Sequence, residues 1–331
     1  MNGEAMVAGP VVTDSEVTFR LPDSGPTLAG VRLSPALSLP GVPMEFSHAD
    51  DVWTLRLLRP PVWRMEYRLQ LRHADGSVEE ICDPGNPLRA PGAFGDKSVT
   101  EFPDYKAPTW LAAERTGSYD GVLWSPADTD PEEPLPLLVA YDGPEYDRLA
   151  SLTLFSAAAD VPKHRVALLA YSDRNDDYSA NPAYTRKLIQ EILPAFKKIT
   201  AGKVIGMGAS LGGVGMLHAQ RRRPGVFGGL YLQSASFFTR QLDPQESGFS
   251  RFTRVVRFVE HVGRSKALPV PVTITCGLAE ENLANNRRMA AVLGEQGYPV
   301  TLVENPDAHN YVGWRDTFDP ALAGLMRRVW E

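Results

Sequence analysis

Residues 206–213 read GMGASLGG, and the fold turns on how they are read. The segment before them, KVIGM from Lys203, is apolar and of strand length, and the segment from about Leu211 onward has helical spacing. Between the two, Gly208-Ala209-Ser210-Leu211-Gly212 forms a G-x-S-x-G. At a sharp strand-to-helix turn this pattern holds a serine in a strained backbone conformation with its hydroxyl exposed, and larger neighbours would collide there. The helix start also directs N–H groups and partial positive charge toward a developing oxyanion. Alone, the pattern is a weak signal, and a structural glycine-rich bend is the competing reading. The strand–turn–helix setting is what favours a nucleophile.

Working outward, apolar runs of strand length recur at PLPLLVAYDG (134–143), HRVALLAYS (164–172), GGLYLQSAS (228–236), PVTITCG (271–277) and VTLVENP (300–306). They carry no period-two alternation, as expected of strands buried on both faces. Segments with helical spacing lie between them: 181–199, 247–262, 281–297 and 319–331. This predicts a doubly wound, mostly parallel α/β sheet. Residues 11 to about 105 follow another grammar. EVTFRL, AGVRLS, VWTLRLL and EYRLQLRH are short β-type runs, and HADGSVEE carries an Asp-Gly hairpin signal. A small all-β sandwich fits, with the boundary near Thr116, giving domains at 1–115 and 116–331. Asp83 and Asn86 of the Pro/Gly-rich DPGNP are expected to shape turns.

Composition limits the partners. The chain has 331 residues, 43% hydrophobic, and a formal net charge of -6, with one short basic run at Arg221–Arg223. No nucleic-acid stripe follows from that. Cys82 and Cys276 are the two cysteines, too few and too isolated for a disulfide framework or a cysteine zinc site. The start, MNGEAMVAGPVV, has no basic segment ahead of an apolar core, and no apolar run approaches a membrane span. A cytoplasmic protein without metal or organic cofactor is expected, acting on a small molecule, with no membrane partner and room for a homo-oligomer.

A serine nucleophile needs a base, and hydrolases with this turn order their triad serine, acid, histidine. His48, His73 and His164 precede Ser210; His218 lies in the helix after it; His261 ends an amphipathic helix, where a cap explains it. His309 remains, in ENPDAHNYVGWRD after the last strand, at the sheet edge where such folds bind ligands. The acid is expected in GLAEEN after PVTITC, as Glu280 or Glu281, accepting from the imidazole Nδ1–H. A helix N-terminal glutamate pair is the competing reading. One oxyanion donor is the Leu211 N–H. The other should come from YDGPEYD at 141–147, where Pro144 has no N–H, leaving Gly143, Glu145 or Tyr146, with Glu145 chosen.

From about residue 134 onward the chain resembles the Putative esterase (esterase D-like) family of α/β-hydrolases. With its N-terminal region added, it is similar to the enterochelin esterase branch, in which an early-set immunoglobulin-like domain precedes the hydrolase. YDGPEY, GMGASLGG, GLAEENLANNRRMAAVL and DAHNYVGWR carry the resemblance. It implies Ser210 as nucleophile, His309 as base and Glu280 rather than Glu281 as acid. Two departures stand out: Pro144 follows the Asp-Gly, and Asp307-Ala308 precedes the histidine where relatives often have Gly-Gly. Arg174 could hold an anionic substrate or pair with Asp173 or Asp176, and Trp314 could line a pocket or pack the histidine loop. The expected activity is a serine hydrolase cleaving carboxylic esters through an acyl-enzyme, in its sharper form a ferric-siderophore lactone esterase. The competing readings are acyl transfer by the same triad and a non-catalytic binding protein with a relic hydrolase domain.

Overall fold

The computed structural model describes residues 9–23 and 28–331. The segment MNGEAMVA, part of the start read above for a leader, lies outside them. The chain divides into two compact units. The first takes the described residues up to Lys106 together with Leu278–Glu280 and Pro306–Asn310; the second takes Ala107–Gly277, Glu281–Asn305 and Tyr311–Glu331.

The first unit is all-β. Its strands are β1 (Val11–Val12), β2 (Glu16–Pro22), β3 (Leu28–Pro35), β4 (Ser47–Ala49) and β5 (Val52–Leu58). They continue with β6 (Arg64–His73), β7 (Val78–Ile81), β8 (Arg89–Ala90) and β9 (Lys97–Glu101). One sheet runs β1-β2-β5-β4; the other runs β3-β6-β9-β8, with β7 on β6. Alternate residues of β2 (Val17, Phe19, Leu21) and β5 (Trp53, Leu55, Leu57) are buried, and so are Met65, Tyr67 and Leu69 among those of β6. The period-two alternation thus becomes one apolar core between two sheets. The Asp-Gly pair turns β6 into β7, with the His73 N–H donating to Ser77 O at 2.9 Å. Asp83 and Asn86 are buried: the Tyr67 hydroxyl donates to Asp83 at 2.6 Å, and Asn86 Nδ2 donates to Val99 O at 2.7 Å.

The second unit holds an eight-stranded sheet in the order β10-β11-β13-β12-β14-β15-β16-β17. These strands are β10 (Ser118–Tyr119), β11 (Leu123–Ser125), β12 (Leu135–Tyr141), β13 (Arg165–Leu169), β14 (Thr200–Ala209), β15 (Gly229–Gln233), β16 (Val272–Gly277) and β17 (Val300–Asn305). From β13 to β17 all pairs are parallel; β10 and β11 add an antiparallel edge. The helices are α1 (Gly143–Ala150), α2 (Leu152–Ala158), α3 (Arg174–Asp177), α4 (Pro182–Lys187) and α5 (Leu193–Ala195), then α6 (Leu211–Arg222), α7 (Phe252–Arg264), α8 (Leu283–Glu295), α9 (Tyr311–Arg315) and α10 (Ala323–Trp330). Leu137, Val139 and Tyr141 of β12 join a cluster with α6 and α7, while Leu138 and Ala140 join one with α2 and α10. Burial on both faces is why these strands read as continuous apolar runs.

The structure adds elements that the sequence reading does not contain, among them the edge strands β10 and β11 and the short β8 within the Pro/Gly-rich stretch. Helices α1 and α2, between β12 and β13, were not anticipated. The 181–199 segment is not one α-helix: it widens into a π-helical turn over Leu188–Ile192 before α5, where Pro194 has no N–H for an ordinary helical bond. The units part at Lys106, upstream of Thr116, because the short 3₁₀ turn Thr109–Ala112 sets Trp110 against Phe155 at 5.4 Å and Phe318 at 6.3 Å in the α/β unit. Among the described residues, no helix is long and apolar enough to cross a membrane.

Candidate active site

Ser210 caps α6 with φ 54° and ψ -123°, a left-handed-side conformation that a β-carbon makes costly. Its N–H donates to Gln233 O at 2.9 Å, and its carbonyl accepts from the Ser236 N–H at 3.1 Å, so the end of β15 holds the turn. The crowding is specific. A β-carbon on Gly208 would sit 2.5 Å from Gly212 C, and one on Gly213 would sit 2.6 Å from Ala235 Cβ, whereas on Gly212 the nearest atom would be 3.5 Å away. The need for small residues that the pattern suggests on both sides of the serine therefore holds at Gly208 and moves from Gly212 to Gly213. Ser210 Oγ lies 3.0 Å from Ser236 Oγ. Ser236, 2% exposed, was missed by the sequence reading, although its position just past β15, next to β14, was an available signal.

Glu280 and His309 are brought together. His309 Nδ1 lies 2.7 Å from Glu280 Oε2, with the carboxylate side chain 1% exposed and the imidazole 36% exposed. A buried carboxylate on Nδ1 fixes the tautomer that leaves Nε2 to exchange a proton. Glu281 points elsewhere: it is exposed, and its Oε2 accepts from Gln245 Nε2 at 3.1 Å. Because β14, β16 and β17 run parallel, the chain leaves all three at one edge of the sheet, at Ala209, Gly277 and Asn305. The other late histidines are occupied or removed from this edge. His218 in α6 contacts Thr185 Oγ1 at 2.7 Å, and burial pushes its pKa down to about 4. His261 sits in the last turn of α7.

The expected oxyanion loop is the start of α1. Asp142 caps it in the left-handed region, φ 53°, and Gly143 packs so closely that a β-carbon would lie 2.2 Å from Leu168 Cα. Pro144 occupies the first turn, where a missing N–H costs the helix nothing. The Tyr146 N–H already donates to Asp142 O at 2.9 Å, which removes it as a candidate donor. The N–H groups of Gly143 and Glu145 belong to the first turn, where the helix itself supplies no acceptor. Leu211 N–H has the same standing at the start of α6.

Arg174 pairs with neither Asp173 nor Asp176. Its Nε and Nη2 reach Asp142 Oδ1 and Oδ2 at 2.8 and 2.7 Å, a two-pronged grip on a carboxylate 2% exposed. Burial pushes the Asp142 carboxyl above its usual range while Arg174 opposes that. Tyr178 stacks on Tyr141 at 4.3 Å, and its hydroxyl accepts from the Asp142 N–H at 3.2 Å. With both prongs on Asp142, Arg174 braces the cap of α1. Asp176 pairs instead with Arg251 and Arg254. Trp314 is 7% exposed; its indole N–H donates to Ser234 Oγ at 2.9 Å and its ring packs 4.8 Å from Tyr311, so it packs the segment after the histidine. Among the described residues no group of three or more His, Cys, Asp or Glu could hold a metal ion.

A strained serine turn on a doubly wound, mostly parallel sheet, in a chain whose described residues up to Lys106 are all-β, defines an α/β-hydrolase. The profile of the Putative esterase family matches residues 117–325, more than half of the chain, and the chain belongs to that family, a carboxylic ester hydrolase. None of the curated proteins matches it. Solved structures similar to it include the enterochelin esterase of Shigella flexneri, 19% identical, with 98% of this chain and 96% of that one covered at a TM-score of 0.75. Another is the ferric enterobactin esterase of Salmonella typhimurium, 18% identical, 97% of each chain, TM-score 0.74. The Shigella flexneri enterobactin esterase in the presence of enterobactin aligns over 97% of each chain at 20% identity and a TM-score of 0.74. At these identities the likeness is one of fold, and it spans both units.

Proposed function

We propose that the chain is a serine esterase in which Ser210 is the nucleophile, His309 the base and Glu280 the acid. The observation that carries this reading is the buried Glu280 carboxylate on His309 Nδ1 at 2.7 Å, on the loops that follow β16 and β17. His309 Nε2 takes the Ser210 proton as Oγ attacks the ester carbonyl, then returns it to the leaving alcohol. Glu280 stabilises the imidazolium. Leu211 and Glu145 N–H groups receive the oxyanion, at two helix starts whose partial positive charge favours it. Water then attacks the acyl-enzyme, and His309 deprotonates it. Ser236 holds the resting hydroxyl.

The substrate is a small ester. The finer assignment, a catecholate siderophore lactone, is supported by the full-length likeness to enterobactin esterases. The decisive experiment is labelling with a fluorophosphonate, followed by a panel of esters that includes a trilactone siderophore. Ser210→Ala should abolish labelling and lower turnover by about 10³-fold or more. Undiminished labelling in that variant overturns the nucleophile. Turnover of simple esters without any of the lactone overturns the finer assignment alone.

A further inference from the structure

The loop that carries His309 is fastened to the sandwich by buried charge. Arg64 and Glu66, two positions apart on β6, share a face and are 3% and 5% exposed. Arg64 Nη1 donates to Glu66 Oε1 at 3.0 Å and reaches Asn310 Oδ1 at 3.5 Å. Lys97 of β9 places Nζ 3.6 Å from Glu66 Oε2. Asp307, 2% exposed, accepts from the Ala308 N–H at 2.7 Å and from Asn310 Nδ2 at 2.8 Å on one oxygen. Burial raises its pKa while Arg64 lowers it. Backbone bonds close the same unit: the Trp63 N–H to Pro306 O at 2.7 Å, Ala279 N–H to Asp307 O at 3.2 Å, and Ser38 N–H to Ala279 O at 2.9 Å. Ala279 itself lies in the sandwich core.

The arrangement holds the loop on both sides of His309. Ala308 and Asn310 are 3% and 7% exposed, while the imidazole between them remains 36% exposed. A buried ion cluster costs desolvation that apolar side chains of the same volume avoid, so packing alone does not call for one here. What a guanidinium adds is direction, through donors fixed in a plane. We propose that Arg64 and Glu66 are positioning residues: the N-terminal sandwich sets the 306–310 loop, and through it the placement of His309 for proton transfer. This rests on His309 being the base.

The test compares Arg64→Met with Arg68→Met, hydrolysing a p-nitrophenyl ester at a temperature where both are folded by circular dichroism. Arg68 lies on the same strand and donates to Phe94 O and Asp96 O, away from Asp307. Arg64→Met should lower kcat by about 10-fold or more and slow fluorophosphonate labelling in proportion, with KM within about twofold, because misplacement of a proton acceptor acts on the transition state. Arg68→Met should change neither. Since Arg64→Met removes the buried cation beside Glu66 and Asp307, the triple variant Arg64→Met/Glu66→Met/Asp307→Asn, in which half-buried Lys97 is the one charge left of the cluster, is measured beside it with the same expectation. Wild-type kcat in a folded variant lacking Arg64 overturns the proposal. His309→Ala separates the two readings: if it is inactive while Arg64→Met is fully active, positioning alone fails; if it is active, the triad fails too.

Discussion

Gly208 and Gly212 flank Ser210 symmetrically in sequence and asymmetrically in space. Gly208→Ala drives a β-carbon into backbone and should cost about 3 kcal/mol or more, read as a lowered Tm and lost labelling. Gly212→Ala meets only ordinary contacts and should keep labelling near wild type. Equal effects would mean the turn is strained differently from this geometry. The glutamates divide in the same manner. Glu280→Gln should slow turnover far more than Glu281→Gln, since Glu281 bonds Gln245 at the surface; steady-state rates of the two variants decide it. Ser210, Glu280 and His309 were legible because each stands a few residues past a recognisable strand. Ser236, Asp142 and Arg64 were not, because the contacts that single them out, to Ser210, Arg174 and Asn310, span 26, 32 and 246 positions and nothing local marks them.

At the scale of the element, α1 concentrates the unusual features. Pro144→Ala supplies an N–H at a position the helix leaves unbonded, so turnover should not rise; a gain of about 10-fold, about 1.4 kcal/mol, would mean the oxyanion lacks a donor that the substitution restores. Arg174→Met leaves Asp142 buried without its counter-ion and should cost about 3–5 kcal/mol in denaturant unfolding. A change below about 1 kcal/mol would show the pair to be dispensable to the cap. The parallel strands were legible through their continuous apolar runs, and α6, α7, α8 and α10 through their spacing. Helices α1 and α2 were hidden because Ser151, at φ 54°, breaks the chain between them. Pieces of 8 and 7 residues are too short for a period to declare itself.

Across the whole molecule, Asp307 ties stability to pH. Burial pushes its pKa from the ordinary 3.8 up to about 7, against Arg64 and the donors from Ala308 and Asn310, and with Glu66 adding to the rise. A carboxyl raised in the folded state adds stability below its unfolded pKa, and that contribution fades as pH climbs from about 4 to about 7. Asp307→Asn should remove this dependence, so its Tm should gain on the wild type across that window. A constant difference in Tm would show that Asp307 does not titrate there. The contact between Arg64 and Asn310 has a consequence for synthesis. Those residues are 246 positions apart, and Ser210, Glu280 and His309, the proposed triad, all follow residue 200. On a ribosome, β1–β9 emerge as one contiguous block, but the charges on β6 wait for a partner encoded 246 codons later. The sandwich strands can pair early, while the 306–310 segment that Arg64 contacts is made only after the whole α/β sheet has been translated, so this part of the first unit closes late.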